Sequence, residues 1–441
     1  MRNKSKQGIA YSVFPFGSSR QMLLVGEPVE HYTCQEETTT EGEQSVTIPD
    51  YSLQIRSLLE QCRALCEQEG FTDGNANNAA VMCHFFLANI GLKELVRQQA
   101  SEIFPQILGA VTFVPQAPAS GAAIALELWM IGGDCLINTD GGIEFGTAEL
   151  EYATTVEFDG IRWFFGGGFH PGSLAVSAYD RAFEALEELD MELEVCDFHL
   201  DRILRTWIYQ GHLVMPEGET QRYKELNRAR TDYFAATQFL KEYLPKKYKG
   251  TVYPASTGIG TDDFDVVISA VALDTKRKDV IVVPLENPNQ TSAFDYGAVY
   301  SPQSPKFSRA MAVATDNFAG TPGKSCLIFV SGTASITDSE SRHMGDPVKQ
   351  TEQTLDNIAA LIDGENLARH GISGISCGLD NLECVRVYVK RASEFEAIRQ
   401  VCERRLPEVP TIYTVADVCR PELLVEIEGI ALTKSDTLKT A

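Results

Sequence analysis

Three arginines of this 441-residue sequence stand out because their side chains are suited to binding a carboxylate. Arg205 lies between Leu204 and Trp207, in an apolar context where an unpaired charge is costly. A guanidinium offers a planar fork of donors that pairs a carboxylate through two hydrogen bonds, which a lysine ammonium cannot do. Arg205, Arg230 and Arg309 are therefore candidate carboxylate-binding residues, and a structural ion pair is the alternative for each.

Other polar motifs are less specific. Glu340 lies in the segment Asp338-Ser-Glu-Ser-Arg342, which by itself predicts a solvated loop. The seven histidines show no metal-ligand spacing. Gly166-Gly-Gly168 and Gly258-x-Gly260 fit neither a Walker A loop nor a dinucleotide-binding fingerprint. The sequence therefore predicts neither a metal nor an organic cofactor.

The elements that carry these residues predict an α+β fold. Residues 177–193, 221–243, 348–362 and 393–404 are predicted as helices, and residues 326–330, 382–389 and 423–431 as buried strands. The last third thus reads strand, helix, strand, helix, strand, which favours a mixed sheet with helices packed on one face. A similar succession of strands and helices before residue 300 predicts a second unit. We expect a partly disordered leader at 1–50 and domains at 51–300 and 301–435.

Charge and cysteine usage narrow the class of protein. The formal net charge of −23 disfavours nucleic acid and anionic membranes as partners, and an anionic substrate requires local cations to reverse that field. The 11 cysteines include no Cys-x-x-Cys pair, which indicates free thiols in a reducing compartment. No apolar run reaches the length of a membrane-spanning helix. We expect a cytoplasmic protein, either a monomer or a homo-oligomer.

Four sequence blocks of the C-terminal domain resemble RidA (YjgF) proteins. In chain order they are Phe307-Ser-Arg-Ala310, Leu327-Ile-Phe-Val-Ser-Gly332, Gln350-Thr-x-x-Thr-Leu-Asp-Asn-Ile358 and Leu424-Val-Glu-Ile-Glu-Gly-Ile-Ala431. Further blocks, over roughly residues 110–435, resemble the chorismatase (3-hydroxybenzoate synthase) family. They are Phe113-Val-Pro-Gln116, Arg205-Thr-Trp-Ile-Tyr209, Arg222-Tyr-x-x-Leu-Asn-x-Ala-Arg230, Pro254-Ala-Ser-Thr-Gly-Ile-Gly260, Pro284-Leu-Glu-Asn-Pro288 and Ser331-Gly-Thr-Ala-Ser-Ile336.

The resemblance implies a fold of two RidA/chorismate-mutase-like units and an enzyme that releases pyruvate from chorismate. Such an enzyme needs a protonated carboxylic acid to protonate the enol ether, and cations to bind the two carboxylates of chorismate. The resemblance assigns the acid to Glu340, which we then expect in a poorly solvated pocket that raises its pKa. Chorismate is expected to contact the residues Arg205, Tyr209, Tyr223, Arg230, Gly258, Arg309 and Thr333.

Three alternatives remain at this stage. The ring product is either an aromatic hydroxybenzoate (mainly 3-hydroxybenzoate, with 4-hydroxybenzoate as a side product) or a dihydroxycyclohexadiene carboxylate formed by hydrolysis. RidA-type imine deaminases carry an arginine about fifteen residues before the first glutamate of the final strand. Here that glutamate is Glu426 and the corresponding position is Thr411, which disfavours deamination. A binding module without catalysis is the third alternative, since a fold does not fix a function.

Overall fold

The structure is a computed structural model that describes residues 2–4, 8–28, 33–36, 46–71, 79–132, 144–146, 152–172, 174–297, 302–318 and 321–434. The α-helices in this part of the chain are α1 (Tyr51–Gln68), α2 (Lys93–Ile103), α3 (Ala178–Val195), α4 (Arg222–Phe234), α5 (Pro347–Ile362), α6 (Gly364–Arg369) and α7 (Phe395–Arg405). None of these helices is both long enough and apolar enough to cross a membrane.

The strands fall into three consecutive groups along the chain. The first group is β1 (Arg2–Lys4), β2 (Ile9–Phe16), β3 (Ser19–Gly26), β4 (Thr33–Glu36), β5 (Val46–Pro49), β6 (Ala79–Leu87), β7 (Val111–Val114) and β8 (Ile124–Gly132). The second is β9 (Glu144–Gly146), β10 (Ala153–Phe158), β11 (Ile161–Phe169), β12 (Ile203–Gly211), β13 (Pro216–Glu217), β14 (Thr220–Gln221), β15 (Ala255–Thr261) and β16 (Val266–Thr275). The third is β17 (Val280–Leu285), β18 (Ala310–Phe318), β19 (Thr321–Ala334), β20 (Ile336–Thr337), β21 (Glu340–Ser341), β22 (Leu382–Val389), β23 (Thr411–Val415) and β24 (Val425–Lys434).

In each group six strands form one sheet and the other two form a separate two-stranded sheet (β4-β5, β13-β14 and β20-β21), and the three large sheets share one topology. Their strand orders are β1-β2-β3-β8-β6-β7, β9-β10-β11-β16-β12-β15 and β17-β18-β19-β24-β22-β23. In each sheet the last two strands of this order are parallel and the other neighbours are antiparallel. We call the three groups the first, second and third units. The chain therefore repeats one α+β unit three times.

The predicted α+β class with mixed sheets is confirmed, and the structure adds a unit to the two that the sequence predicts. Part of the predicted leader belongs to the first unit, because β2 and β3 are paired strands with mostly buried side chains. Residues 37–45, an acidic part of that leader, lie outside the described residues. The third unit begins at β17, about twenty residues before the predicted boundary at 300/301. A long connection separates β17 from its partner β18, which hides the pairing in the sequence.

Helices cover one face of each sheet. The apolar stripe of α1, including Leu58 and Cys62, packs on the first sheet, and that of α5, including Leu355 and Ile358, packs on the third. Helix α3 confirms the helix predicted at residues 177–193. It begins where the Ser177 hydroxyl accepts a hydrogen bond from the Asp180 backbone N–H in a capping box. The helix predicted at 221–243 ends earlier, as α4, at Phe234.

A buried network of charged side chains connects the three units. The Arg386 guanidinium of the third unit donates two hydrogen bonds to Glu127 of the first, at 2.5 and 2.7 Å, and one to the Tyr209 hydroxyl of the second, at 2.6 Å. It also lies 3.0 Å from His84 Nδ1, and His84 Nε2 lies 3.1 Å from the Ser269 hydroxyl. Because a buried charge is costly without partners, this network favours the joined arrangement of all three units over any separated one.

Candidate active site

A cavity of about 280 Å³ lies at the junction of the second and third units. The second unit contributes the start of α4 and the strand β15, and the third contributes β19, β24 and the connections before β18 and β24. Its lining residues are Gln221, Tyr223, Lys224, Ser256, Gly258, Tyr296, Pro305, Phe307, Arg309, Gly332, Ala334, Ile336, Cys419, Arg420, Pro421, Glu422 and Glu426.

Glu426 is the buried acid of this cavity. Successive residues of a strand alternate between its faces, so Glu426 and Glu428 of β24 share a face while Val425 and Ile427 lie on the other. Burial raises the pKa of the Glu426 carboxyl to about 8. This value includes a smaller contribution from the neighbouring Glu428 charge, which also raises the pKa, and the opposing effects of Arg309 and Arg205, which lower it. No side chain among the described residues donates a hydrogen bond to Glu426, so its carboxyl is available to a ligand.

Gly332 is required for the position of this carboxyl. A Cβ atom at residue 332 would lie 2.0 Å from Glu426 Oε1, far inside van der Waals contact. The Gly332 backbone N–H donates a hydrogen bond of 2.9 Å to the Thr257 hydroxyl, which fixes β19 against β15 across the junction. The glycine therefore allows the acid to lie directly against the backbone of β19.

Glu428, two residues along the strand, has a different environment. It accepts hydrogen bonds from Arg205 at 2.5 Å, from Trp207 at 2.8 Å and from Tyr388 at 3.0 Å, and it also contacts the Thr257 hydroxyl. These donors stabilise an ionised Glu428. Two glutamates on one strand face thus differ in environment: Glu426 lies in the cavity with a raised pKa, and Glu428 is bonded by Arg205, Trp207 and Tyr388.

Cations surround the rest of the cavity. Arg309 is buried and donates hydrogen bonds to the Tyr296 hydroxyl at 2.5 Å and to the Thr291 carbonyl at 3.1 Å. Lys224 and Arg420 also line the cavity. In this acidic chain, these groups provide a local positive field that an anionic ligand requires.

Arg230 adds a fourth cation, directly behind the cavity wall. Its guanidinium lies 3.3 Å from the hydroxyl of the lining residue Ser256 and 5.7 Å from the centre of the Phe307 ring. The buried Nε atoms of Arg230 and Arg309 have no hydrogen-bond acceptor among the described residues. Donors of this kind favour a ligand that supplies acceptors.

The structure brings together some of the predicted site residues. Tyr223, Gly258 and Arg309 line the cavity, and Arg230 lies behind Ser256. Burial is the main cause that raises the pKa of the Tyr223 hydroxyl, so this group remains a neutral hydrogen-bond donor.

Three other predicted binding residues lie elsewhere. Arg205 and Tyr209 belong to the buried network, where Glu428 and Arg386 are their partners. The Thr333 hydroxyl donates to the Ser331 carbonyl at 2.9 Å, and the neighbours of Thr333 on either side, rather than Thr333, line the cavity. The apolar context of Arg205 thus reflects a structural ion pair.

The predicted acid Glu340 does not occupy a poorly solvated pocket. Its side chain is 66% exposed and pairs at 3.0 Å with Arg342, in the short β20–β21 hairpin outside the cavity. An exposed hairpin position leaves the carboxyl hydrated, which is the environment that the local sequence alone predicts. Sequence reasoning did not single out Glu426, the buried carboxyl of the cavity. Its signal was the Val-Glu-Ile-Glu alternation of the final strand, where two charges lie on the buried face of an apolar strand.

Proteins of known sequence place the chain in a family. A 3-hydroxybenzoate synthase from Streptomyces hygroscopicus is 34% identical over 258 residues, which are 58% of this chain and 68% of that protein. The chain belongs to the chorismatase family. A chorismatase from Streptomyces rapamycinicus is 31% identical over 231 residues, 52% of this chain and 63% of its own length.

Comparison of structures agrees with this membership of the chorismatase family. A crystal structure of a chorismatase aligns with 81% of this chain and 94% of its own length, with 20% sequence identity and a TM-score of 0.57. At this identity the alignment shows a shared fold. A search against models of protein families found no match.

Proposed function

We propose that this protein converts chorismate into pyruvate and 3-hydroxybenzoate, with Glu426 as the general acid. The observation that carries the proposal is the neutral, ligand-accessible Glu426 carboxyl in a cavity surrounded by cations. The names of the chorismatase-family relatives support chorismate as the substrate. Chorismate is a dianion, and Arg309, Arg230, Arg420 and Lys224 supply cations for its two carboxylates.

The first step is a proton transfer from Glu426 to the methylene carbon of the enol ether. The product of this step is an oxocarbenium ion, whose positive charge the newly ionised Glu426 stabilises. Charge that develops close to a preorganised carboxylate in a desolvated site is stabilised more strongly than in water. A carboxylic acid that is still protonated near neutral pH suits this role, because proton transfer is most effective when the pKa of the acid lies near the working pH.

The second step releases pyruvate. In the aromatic route the ring hydroxyl attacks the neighbouring ring carbon, the ether bond breaks, and its electrons complete the carbonyl of pyruvate. This attack forms an epoxide, and the hydroxyl proton returns to Glu426. The epoxide then opens at its bond to the carbon that carried the hydroxyl, the oxygen takes up a proton, and loss of the hydrogen on the attacked carbon as a proton gives 3-hydroxybenzoate. This route consumes no water, whereas the hydrolytic route consumes one water and leaves a diol. Neither route needs a metal or an organic cofactor.

The wall of the cavity near Glu426 favours the aromatic route. Cys419 and Ala334 line it, and burial raises the pKa of the Cys419 thiol to about 12, which leaves a neutral group that bonds water weakly. Gly258 leaves space beside Tyr223 for the ring to shift. A wall of this kind offers few partners for an attacking water.

Incubation of the purified protein with chorismate tests the proposed function directly. We expect pyruvate and 3-hydroxybenzoate in equal amounts when the products are separated by chromatography and identified by mass. Detection of a ring product that carries two hydroxyls would show that the protein uses the hydrolytic route instead of the aromatic one. If no pyruvate forms at all pH values tested between about 6 and 8, the family activity is rejected for this chain.

The rate is expected to fall as the pH rises through the pKa of Glu426. Only the protonated form donates a proton, and the raised pKa of about 8 keeps this form dominant below that value. We therefore expect kcat to be nearly constant from pH 6 to 7 and to decrease about tenfold for each unit above the pKa. The measurement is the pH profile of pyruvate release at saturating chorismate. A profile that rises between pH 7 and 9 would contradict an acid in this role.

Gly258→Ala is expected to change the product ratio without unfolding the protein. The added methyl group would lie 3.6 Å from Tyr223 and 3.7 Å from Leu226, which are ordinary contacts. It reduces the space available to the ring, so we expect a KM for chorismate about tenfold higher and a larger fraction of diol. Product analysis of the variant measures both effects. An unchanged ratio would show that the space at Gly258 does not select the product.

A further inference from the structure

The repetition of one unit creates two more junctions like the one that holds the candidate active site. At the first site β15 of the second unit faces the end of β19 in the third. At the junction of the third and first units, β23 takes the place of β15, and the end of β3 takes the place of the end of β19. A second cavity, of about 200 Å³, lies there.

The remaining junction, between the first and second units, is filled. A Cβ atom at Gly167 would lie 2.6 Å from the Thr112 hydroxyl and 2.9 Å from the Ala110 carbonyl. The Gly168 backbone N–H donates a 3.1 Å hydrogen bond to the same hydroxyl. Because this junction packs tightly, an open cavity is not a necessary result of joining two units.

The second cavity contains a carboxyl group at the level of the acid in the first. In the first unit Gly26 pairs with Leu126, and Glu27 is the next residue after Gly26. In the third unit Ile427 corresponds to Leu126, and Glu426 is the residue before it, so both glutamates lie one residue beyond the same paired position. The Ser120 hydroxyl donates a 2.6 Å hydrogen bond to Glu27, and burial raises the pKa of this carboxyl to about 7. The segment that carries Ser120 is held on β23 by the hydrogen bond from the Ala119 N–H to the Tyr413 carbonyl. The acid is therefore fixed against the facing unit.

Two charged side chains line the second cavity, Glu27 and Arg399. Arg399 lies at its edge, but its guanidinium is held by Glu396 and Glu403 of the same helix. These two carboxylates offset the charge of Arg399, whereas Glu27 has no ion-pair partner among the described residues and bonds Ser120 instead. An anion is repelled by this arrangement, and a cation is attracted.

The other walls suit an apolar body that carries such a cation. Ile9, Val25 and Ile412 supply aliphatic surface, and the rings of Phe395 and Tyr413 meet edge to face with their centres 5.3 Å apart. Aromatic faces attract ammonium groups in addition to packing against apolar atoms.

We propose that the cavity between the third and first units is a second ligand site, which binds a small organic ammonium ion. The ammonium group donates to the Glu27 carboxylate, and the apolar body packs among Ile9, Val25 and Ile412. This inference does not depend on the function proposed for the first cavity. Its ligand differs from an anionic substrate in charge, so the two sites do not compete.

Calorimetric titration of the full chain with two probes of one shape tests this site. Benzylamine is the cation and benzoate is the matched anion, both at pH 8, where Glu27 is mostly ionised. Ser120 donates a hydrogen bond to Glu27, and Arg399, Thr411 and Tyr413 are further polar residues that line the cavity. We expect benzylamine to bind with a Kd on the order of 1 mM, and benzoate not to bind at this junction.

Variants locate the bound benzylamine. Glu27→Gln keeps the shape and the hydrogen bond from Ser120, and we expect it to weaken binding at least about tenfold. Thr411→Phe fills the cavity, and as an independent second variant it should also weaken benzylamine binding. Glu426→Gln is the matched control in the first cavity and should leave benzylamine binding unchanged. The proposal is overturned if wild type does not bind benzylamine up to about 10 mM, if Glu27→Gln binds it as wild type does, or if Glu426→Gln abolishes binding.

Discussion

Glu426→Gln is expected to lower kcat for pyruvate release by about 10²–10⁴-fold while the protein keeps its fold. Glutamine retains the size of the side chain and removes the transferable proton. Because the native carboxyl tends to be neutral in its buried site, the substitution does not create a new unpaired charge, and we expect thermal stability to be equal or higher. The measurements are steady-state kinetics and a thermal unfolding curve of the same preparation.

Glu340→Gln is the matched control for this prediction. Its exposed side chain pairs with Arg342 in the short hairpin outside the cavity, so turnover should remain close to that of wild type. The opposite pattern, with Glu340→Gln inactive and Glu426→Gln active, would restore the assignment that the family resemblance implies.

Arg205→Met is expected to destabilise the protein by roughly 3–5 kcal/mol, the cost typical of removing one partner of a buried ion pair. The substitution leaves Glu428 charged and buried without its closest cation. Chemical denaturation measures the loss, and the double variant Arg205→Met/Glu428→Gln should recover part of it because the unpaired charge is gone. A raised KM for chorismate in Arg205→Lys without loss of stability would instead show that Arg205 binds the substrate.

Features of the fold and of the site that depend on local patterns or on family motifs could be predicted from the sequence. The α+β class and α3 follow from periodicity, which acts over a few residues. The family membership follows from motifs, and with it Tyr223, Gly258 and Arg309 as lining residues.

Other features depend on contacts between distant parts of the chain. Arg205 meets Glu428, 223 residues further along, and nothing in either local sequence distinguishes this ion pair from a ligand-binding arginine. The proposal of Glu426 as the acid depends on burial rather than on spacing. Glu340 and Glu426 are both flanked by plausible motifs, but only one of them faces a cavity, and that follows from how the second and third units join.

Covalent linkage of the three units has a consequence for how their junctions diverge. In an assembly of three identical chains, one substitution appears at every junction, so a change that helps one interface must be tolerated by the other two. In this chain each junction has its own residues: a glycine packed on Thr112 at one, a glutamate held by Ser120 at another, and Glu426 among cations at the third. Mutations can therefore change the residues of one junction, the candidate active site, without changing the residues of the other two junctions.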